Sequence, residues 1–226
     1  AINKVGSSDF SQSRCLIPGK EPSPPINFSI TSSNRSNILS WQPPTDNGGS
    51  LIDSYLLYYR KQGETNWRFL FDFSAYPTTS YKFTHQDLIN GQTYEYTIQA
   101  KNQFGVSNYA TTVSATPRGY PIPPGKLQTS ALANGIRLTW EPPLSNEGSA
   151  VSYYNIYRAT SSQYIFIAST TATSYNDLST ASKTTYYYYI TAVNSIGESK
   201  RSNIESGCYG NCSSPGTQCI SPNNLS

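Results

Sequence analysis

The chain has 226 residues, only 13% of them charged, and a formal net charge of +3 at neutral pH. That length holds one large domain or two of about 100 residues, each able to bury its own core. Lys and Arg are scattered rather than gathered into a stripe, which argues against tracking a phosphate backbone, so no nucleic-acid partner is expected. No apolar run approaches the roughly 20 residues of a membrane span. Abundant Ser, Thr and Asn, with 19 tyrosines, suggest a secreted all-β protein. The chain contains no methionine, so Ala1 is not expected to be a translation start; the cysteines favour removal of a secretory leader over excision of a fragment.

In chain order, residues 1–21 read as an N-terminal arm that carries Cys15. Residues 22–117 read as a first β-rich unit, with strands near 26–32, 37–42, 53–61, 67–72, 79–84, 92–101 and 108–115. Residues 118–124 lie in the proline-rich link TPRGYPIPPG, expected to be a stiff spacer. Residues 125–206 form a second unit, with strands near 125–131, 135–140, 151–158, 163–169, 173–176, 184–193 and 199–205. Residues 207–226 are a cysteine-containing tail. The two units in series are expected to make a rod.

The units repeat each other. ILSWQPPTDNGGSLIDSYLLYYR aligns with IRLTWEPPLSNEGSAVSYYNIYR, matching Trp41 to Trp140, Tyr55 to Tyr154 and Leu57 to Ile156. Later, Tyr94, Ala100, Asn102 and Gly105 match Tyr186, Ala192, Asn194 and Gly197. The expected fold is therefore all-β: two tandem seven-stranded antiparallel sandwiches. Three features together carry a resemblance: a second-strand Trp-x-Pro-Pro, a Tyr-x-Leu/Ile third strand, and T-Y-x-Y-x-I-x-A-x-N-x-x-G in the sixth. With them the chain resembles tandem fibronectin type III domains over roughly residues 22 to 206. The resemblance implies cores without an inter-sheet disulfide, anchored by Trp41 and Trp140. It also implies that Tyr94 and Tyr186 are tyrosine-corner residues whose hydroxyls bond backbone near Leu88 or Leu178.

Four consecutive tyrosines, Tyr186 to Tyr189, pose a question of faces, because a strand sends alternate residues to opposite sides. Tyr186, Tyr188, Ile190 and Ala192 are expected inward; Tyr187, Tyr189, Thr191 and Val193 outward. With the outward Tyr153 and Tyr157 of the neighbouring third strand, Tyr187 and Tyr189 make a candidate contact face. The alternative is that cross-strand rings merely stabilise the sheet. The matching face of the first unit, Leu56, Tyr58, Glu95, Thr97 and Gln99, reads as more polar. A second candidate is the edge strand NWRFLFDF, with Trp67, Phe69, Phe71 and Phe73 on one parity and available to pair with another chain. The adjacent Lys200 and Arg201 read as a solvated strand end.

Catalytic signatures are absent from the sequence. The lone His85 has no nucleophile motif beside it and is expected at the surface. There is no H-E-x-x-H, phosphate loop or calcium loop, so no cofactor or metal is expected. Asp46 with Asp53, or Glu141 with Glu147, are the only carboxylates worth weighing as glycosidase acids, and loop solvation explains them better.

Cys15, Cys208, Cys212 and Cys219 flank the two units and read as disulfide cysteines of an oxidising compartment. Three tail cysteines cannot all pair among themselves. Cys15 closing back on its own tail, a head-to-tail bridge to another copy that builds a filament, and a cysteine-rich module cut short at Ser226 all remain open. Sequons occur at Asn27, Asn34, Asn211 and Asn224 and would permit glycosylation. The expectation is a non-enzymatic extracellular structural or adhesive protein, secreted or at the cell surface. Its partners would be other proteins, copies of itself, or glycans. The rivals are a receptor or adhesion ectodomain, and an accessory spacer or carbohydrate-contacting region of a secreted polysaccharide-degrading enzyme.

Overall fold

The computed structural model describes residues 2–7, 18–75 and 81–212. Among these residues there are strands and turns and no helix. A short hairpin pairs β1 (Ile2–Asn3) with β2 (Gly6–Ser7). The first sandwich then runs through β3 (Ile26–Ser33), β4 (Ser36–Gln42), β5 (Ile52–Lys61), β6 (Arg68–Ser74), β7 (Lys82–His85), β8 (Tyr94–Asn102), β9 (Gly105–Val106) and β10 (Val113–Ala115). One of its sheets has the order β3-β4-β7, the other β10-β8-β5-β6, with β9 pairing β8. The second sandwich comprises β11 (Gly125–Leu132), β12 (Gly135–Glu141), β13 (Tyr153–Ala159), β14 (Ile165–Thr170), β15 (Ser174–Asp177), β16 (Tyr186–Val193) and β17 (Glu205–Gly207). Its sheets are ordered β11-β12-β15 and β14-β13-β16-β17.

Alternation builds each core. Along β12 the residues Ile136, Leu138 and Trp140 are buried, while Arg137 and Glu141 point to solvent. Leu127, Tyr154, Ile156, Tyr186, Tyr188, Ile190 and Ala192 close around them. The first sandwich repeats this with Leu39, Trp41, Tyr55, Leu57, Tyr94, Tyr96 and Ile98. Each fully buried Leu or Ile among these contributes about 1.5–3 kcal/mol through burial. Trp41 meets Tyr55 and Phe73 edge-on at 5.6 and 5.1 Å, and Trp140 meets Tyr154 at 5.5 Å. Both indole N–H groups are buried without a hydrogen-bond acceptor among the described residues, so ring packing is what holds the two tryptophans. The Tyr186 hydroxyl accepts a bond from the Ala181 backbone N–H at 3.1 Å, upstream of its own strand.

The repeated N-x-x-G motif has a mechanical role. Asn194 is buried. Its Nδ2 donates to the carbonyls of Gly119, Asn146 and Ser149, and its Oδ1 accepts from the N–H groups of Ile196 and Gly197. One side chain thus ties the incoming chain, the 142–150 loop and the turn after β16. In the first sandwich Asn102 bonds the carbonyls of Lys20 and Asn47 and the N–H groups of Phe104 and Gly105. Asn194→Ala strands several buried backbone groups and is expected to cost about 1–3 kcal/mol, read from a denaturant titration.

The last strand of each sandwich departs from expectation. Residues 199–205 were expected to form one strand, but the regular pairing is confined to β17. Ser199 Oγ accepts from Ala192 N–H and Ser202 Oγ from Ile190 N–H, so hydroxyls stand in for part of the backbone ladder. Ser107 does the same for Ala100 in the first sandwich. After β17, Cys208 and Cys212 are joined by a disulfide around a turn in which Gly210 has φ +74°, a left-handed conformation that suits glycine. Tyr209 packs on the core and its hydroxyl donates to the Thr180 carbonyl at 2.9 Å. This pairs two of the three tail cysteines; Cys15 and Cys219, on which the open alternatives turn, lie outside the described residues.

Candidate functional site: an aromatic groove on the second sandwich

The β13–β16 register decides which outward tyrosines meet. Tyr157 lies opposite Tyr189, whereas Tyr153 is opposite Val193 and Tyr187 opposite Ala159. Of the four candidate tyrosines, the register thus sets Tyr157 and Tyr189 directly opposite each other. Tyr157 and Tyr189 stack at 4.7 Å with an interplanar angle of 19°. Tyr153 and Tyr187 sit at the two ends of the strand pair. Two rings from the edge side, unremarked in the sequence, join the stacked pair: Tyr164 packs on Tyr189 at 4.8 Å, and Phe166 meets Tyr157 edge-on at 5.9 Å.

Thr191 and Val193, expected outward, are buried. The segment that follows covers this end of β16: Val193 bridges to Glu198, and Thr191 Oγ1 bonds the Glu198 carboxylate. Glu198 is the centre of a small network. Its Oε1 accepts from Thr191 Oγ1, from Asn155 Nδ2 at 3.1 Å and from the Tyr157 hydroxyl at 2.9 Å. Burial pushes the Glu198 carboxyl up, but these three donors outweigh it and hold it below the usual carboxylate range, so it is charged at neutral pH. Burial and the bond to Glu198 push the Tyr157 hydroxyl up to about 12, so it stays a neutral donor. Beside the rings lies a shallow groove of about 620 Å³, lined by Tyr157, Tyr164, Tyr189, Glu198, Lys200 and Arg201 among others. Lys200 and Arg201, read from sequence as a solvated strand end, form one of its walls.

The first sandwich is less different than the sequence suggested. Its outer face was read as more polar, yet it carries its own ring cluster. Tyr58 meets Phe69 and Tyr109 at 5.8 and 5.4 Å, and Trp67 lies 6.4 Å from Tyr109 beneath the Arg60 guanidinium. Glu95 is there too, but paired with Arg60 at 2.6 Å. The edge strand β6 also corrects the single-parity reading of its rings. A bulge between Leu57 and Tyr58 puts Phe71 opposite Leu57 but Phe69 opposite Tyr58. Phe71 and Phe73 therefore face the core side, where Phe71 stacks on Phe83 at 4.8 Å and Phe73 meets Trp41 edge-on. Phe69 and Trp67 belong to the outer face. Phe69 and Phe71 remain 59% and 43% exposed, so the edge is apolar on both sides of the bulge.

The remaining sequence candidates are scattered. His85 is half-buried on β7 rather than at the surface, and burial lowers its imidazole, so it is neutral at neutral pH. Asp46 pairs with Lys20 and Glu141 with Lys126 at the surface. No group of three or more His, Cys, Asp or Glu among the described residues could hold a metal ion. No helix among them is long and apolar enough to cross a membrane. Asn27, Asn34 and Asn211 are exposed, and Asn224 lies outside the described residues.

Two antiparallel sandwiches with the same tryptophan anchor, asparagine clamp and edge-strand bulge point to one repeated module. The fibronectin type III domain profile matches residues 23–116 and 123–207. The chain belongs to the fibronectin type III family. Its relatives include Exoglucanase B of Cellulomonas fimi, 30% identical over 186 residues, which is 78% of this chain and 16% of that protein. Receptor-type tyrosine-protein phosphatase F of Danio rerio is 32% identical over 149 residues, 63% of this chain and 7% of that protein. Protein sidekick-2 of Gallus gallus is 32% identical over 152 residues, 63% of this chain and 7% of that protein. The fibronectin type III pair thus spans a small part of the length of each of these relatives.

Proposed function

We propose that the chain is a non-enzymatic adhesive or structural segment of an extracellular or cell-surface protein, and that it makes protein contacts through the outer face of its second sandwich. The observation that carries this is the stacked Tyr157–Tyr189 pair with Tyr164 and Phe166 beside an open groove. Tyrosine gives a large contact area at a low cost in side-chain entropy and keeps a polar tip, which suits an interface in contact with water. The Cys208–Cys212 disulfide fits an oxidising compartment.

Beads carrying the chain test this directly. They are expected to adhere to one another or to a cell layer, to lose adhesion when the chain carries Tyr157→Ser with Tyr189→Ser, and to lose it when the cell layer is treated with protease. Adhesion that persists through both treatments would contradict the reading. A second reading has one observation behind it, the similarity to Exoglucanase B. There the pair would serve as a spacer or sugar-contacting region of a secreted polysaccharide-degrading enzyme. Retention on insoluble glucan, released by soluble glucan and lost with the same double substitution, would favour it.

A further inference from the structure

The two sandwiches correspond residue by residue around the groove, because their bulges and serine bridges fall at equivalent places in the register. Tyr58 pairs Phe69 across the first bulge, and Tyr157 pairs Phe166 across the second. Two residues before each phenylalanine stand Trp67 and Tyr164. Ser107 and Ser199 make the same bond to the strand beside them, and two residues after each come Tyr109 and Arg201. Two exchanges separate them: Thr97 opposite Tyr58 becomes Tyr189 opposite Tyr157, and Tyr109 becomes Arg201. In the first sandwich the Tyr109 ring covers the shelf, edge-on to Tyr58 and near Trp67. In the second, Arg201 takes that place, Lys200 precedes it, and the shelf of Tyr157, Tyr164 and Tyr189 borders an open groove.

We propose that this groove receives an acidic peptide segment of a partner protein, with an aromatic side chain flanked by carboxylates. Tyr189 already packs on Tyr157 and Tyr164, so the ring would lie on the groove side of this cluster, next to Arg201. The carboxylates would meet Lys200 and Arg201, neither of which forms an ion pair within the described residues. The groove's own carboxylate, Glu198, takes all three of its hydrogen bonds through Oε1, from Thr191, Asn155 and Tyr157, which fixes the shelf in place. With two cations against one carboxylate, the lining favours an anionic segment. A neutral sugar would leave the two cations of the lining without a counter-charge. The inference rests on the protein-contact reading above and gives it a ligand chemistry.

Fluorescence anisotropy of the full chain with a labelled acetyl-Glu-Asp-Tyr-Glu-Glu peptide tests it. Controls are acetyl-Gln-Asn-Tyr-Gln-Gln, acetyl-Glu-Asp-Ala-Glu-Glu and a sulfated heparin-type oligosaccharide. The acidic tyrosine peptide is expected to bind at least about fivefold more tightly than either peptide control, and the preference for it over the neutral form should fade as salt rises. Lys200→Ala with Arg201→Ala should remove the same preference. Arg201→Tyr, which fills the groove as Tyr109 does in the first sandwich, should abolish binding without lowering the melting temperature. Equal affinity for acidic and neutral peptides, tighter binding of the oligosaccharide, or unchanged peptide affinity in the double-alanine chain would overturn the proposal. Protease-sensitive bead adhesion that is indifferent to Lys200 and Arg201 would sink this inference and leave the broader reading standing. Absence of adhesion would sink the broader reading itself.

Discussion

Asp177→Ala is expected to destabilise the second sandwich by about 3–5 kcal/mol, because it leaves a half-buried guanidinium without its counter-charge. The Asp177 side chain is 1% exposed and that of Arg158 16%. Arg158 Nη1 reaches Asp177 Oδ2 at 2.8 Å, and the Tyr188 hydroxyl donates to the same oxygen at 2.9 Å. The Ser179 N–H and hydroxyl both donate to Oδ1. Burial raises the Asp177 carboxyl, but bonds from Ser179, Arg158 and Tyr188 outweigh it, leaving it below its ordinary value of 3.8. The sign of the pH dependence follows. A carboxyl depressed on folding contributes stability that is complete above its unfolded pKa and is lost as pH falls through the folded one. The acid limb of the second sandwich should therefore be shallower in Asp177→Asn. Hydrogen exchange of β16 peptides reads this sandwich apart from the first. Replacing the whole pair, Arg158→Met with Asp177→Leu, should recover most of the loss, since a buried pair and a packed apolar substitute are close in free energy. A loss below about 1 kcal/mol for Asp177→Ala would show that solvent reaches Arg158 and that the network contributes little.

Trp140→Ala is the second large expected effect, at about 3–5 kcal/mol, from lost burial and the cavity left between the sheets. Trp140 is 5% exposed and Trp41 4%, so Trp41→Ala should behave alike in the first sandwich. Trp67 is the internal control. It lies half-buried on the outer face under Arg60, and Trp67→Ala should cost only about 0.5–1 kcal/mol, the scale of its cation–π contact. Denaturant titrations of the three variants, followed by hydrogen exchange of β4 and β12, give the ranking. Equal effects at Trp67 and Trp140 would mean that the assignment of inner and outer faces is wrong.

The buried framework was legible in the sequence because it is repeated and periodic. Aligning the halves placed Trp41 on Trp140 and Asn102 on Asn194, and strand alternation put Tyr186, Tyr188, Ile190 and Ala192 inward, as the structure has them. The Arg158–Asp177 pair was not legible, because Asp177 comes from the opposite sheet and nothing in the local sequence points to it. Three failures share one cause: each depends on register or on a chain segment that folds over a strand. The bulge in β6 reverses the parity of its rings, and a bulge leaves no mark in alternation once both faces are aromatic. Which two of the four tyrosines meet was hidden, because parity says which side a residue is on, not how far along the strand its partner lies. Thr191 is outward by parity and buried in fact, because Glu198 folds back over it. The groove depends on the last two of these, being built from β13, the residues before β14, β16 and the serine-bridged segment after it.

The central claim is that this chain meets its partner at the groove of the second sandwich. The most direct measurement is a two-dimensional amide NMR titration of the isotopically labelled chain with the acidic tyrosine peptide. The account predicts shifts gathered at Tyr157, Tyr164, Tyr189, Thr191, Lys200 and Arg201, with the Asn102 and Trp41 signals of the first sandwich unmoved. Shifts centred instead on Phe69 and Phe71 of β6, or spread evenly over both sandwiches, would contradict it.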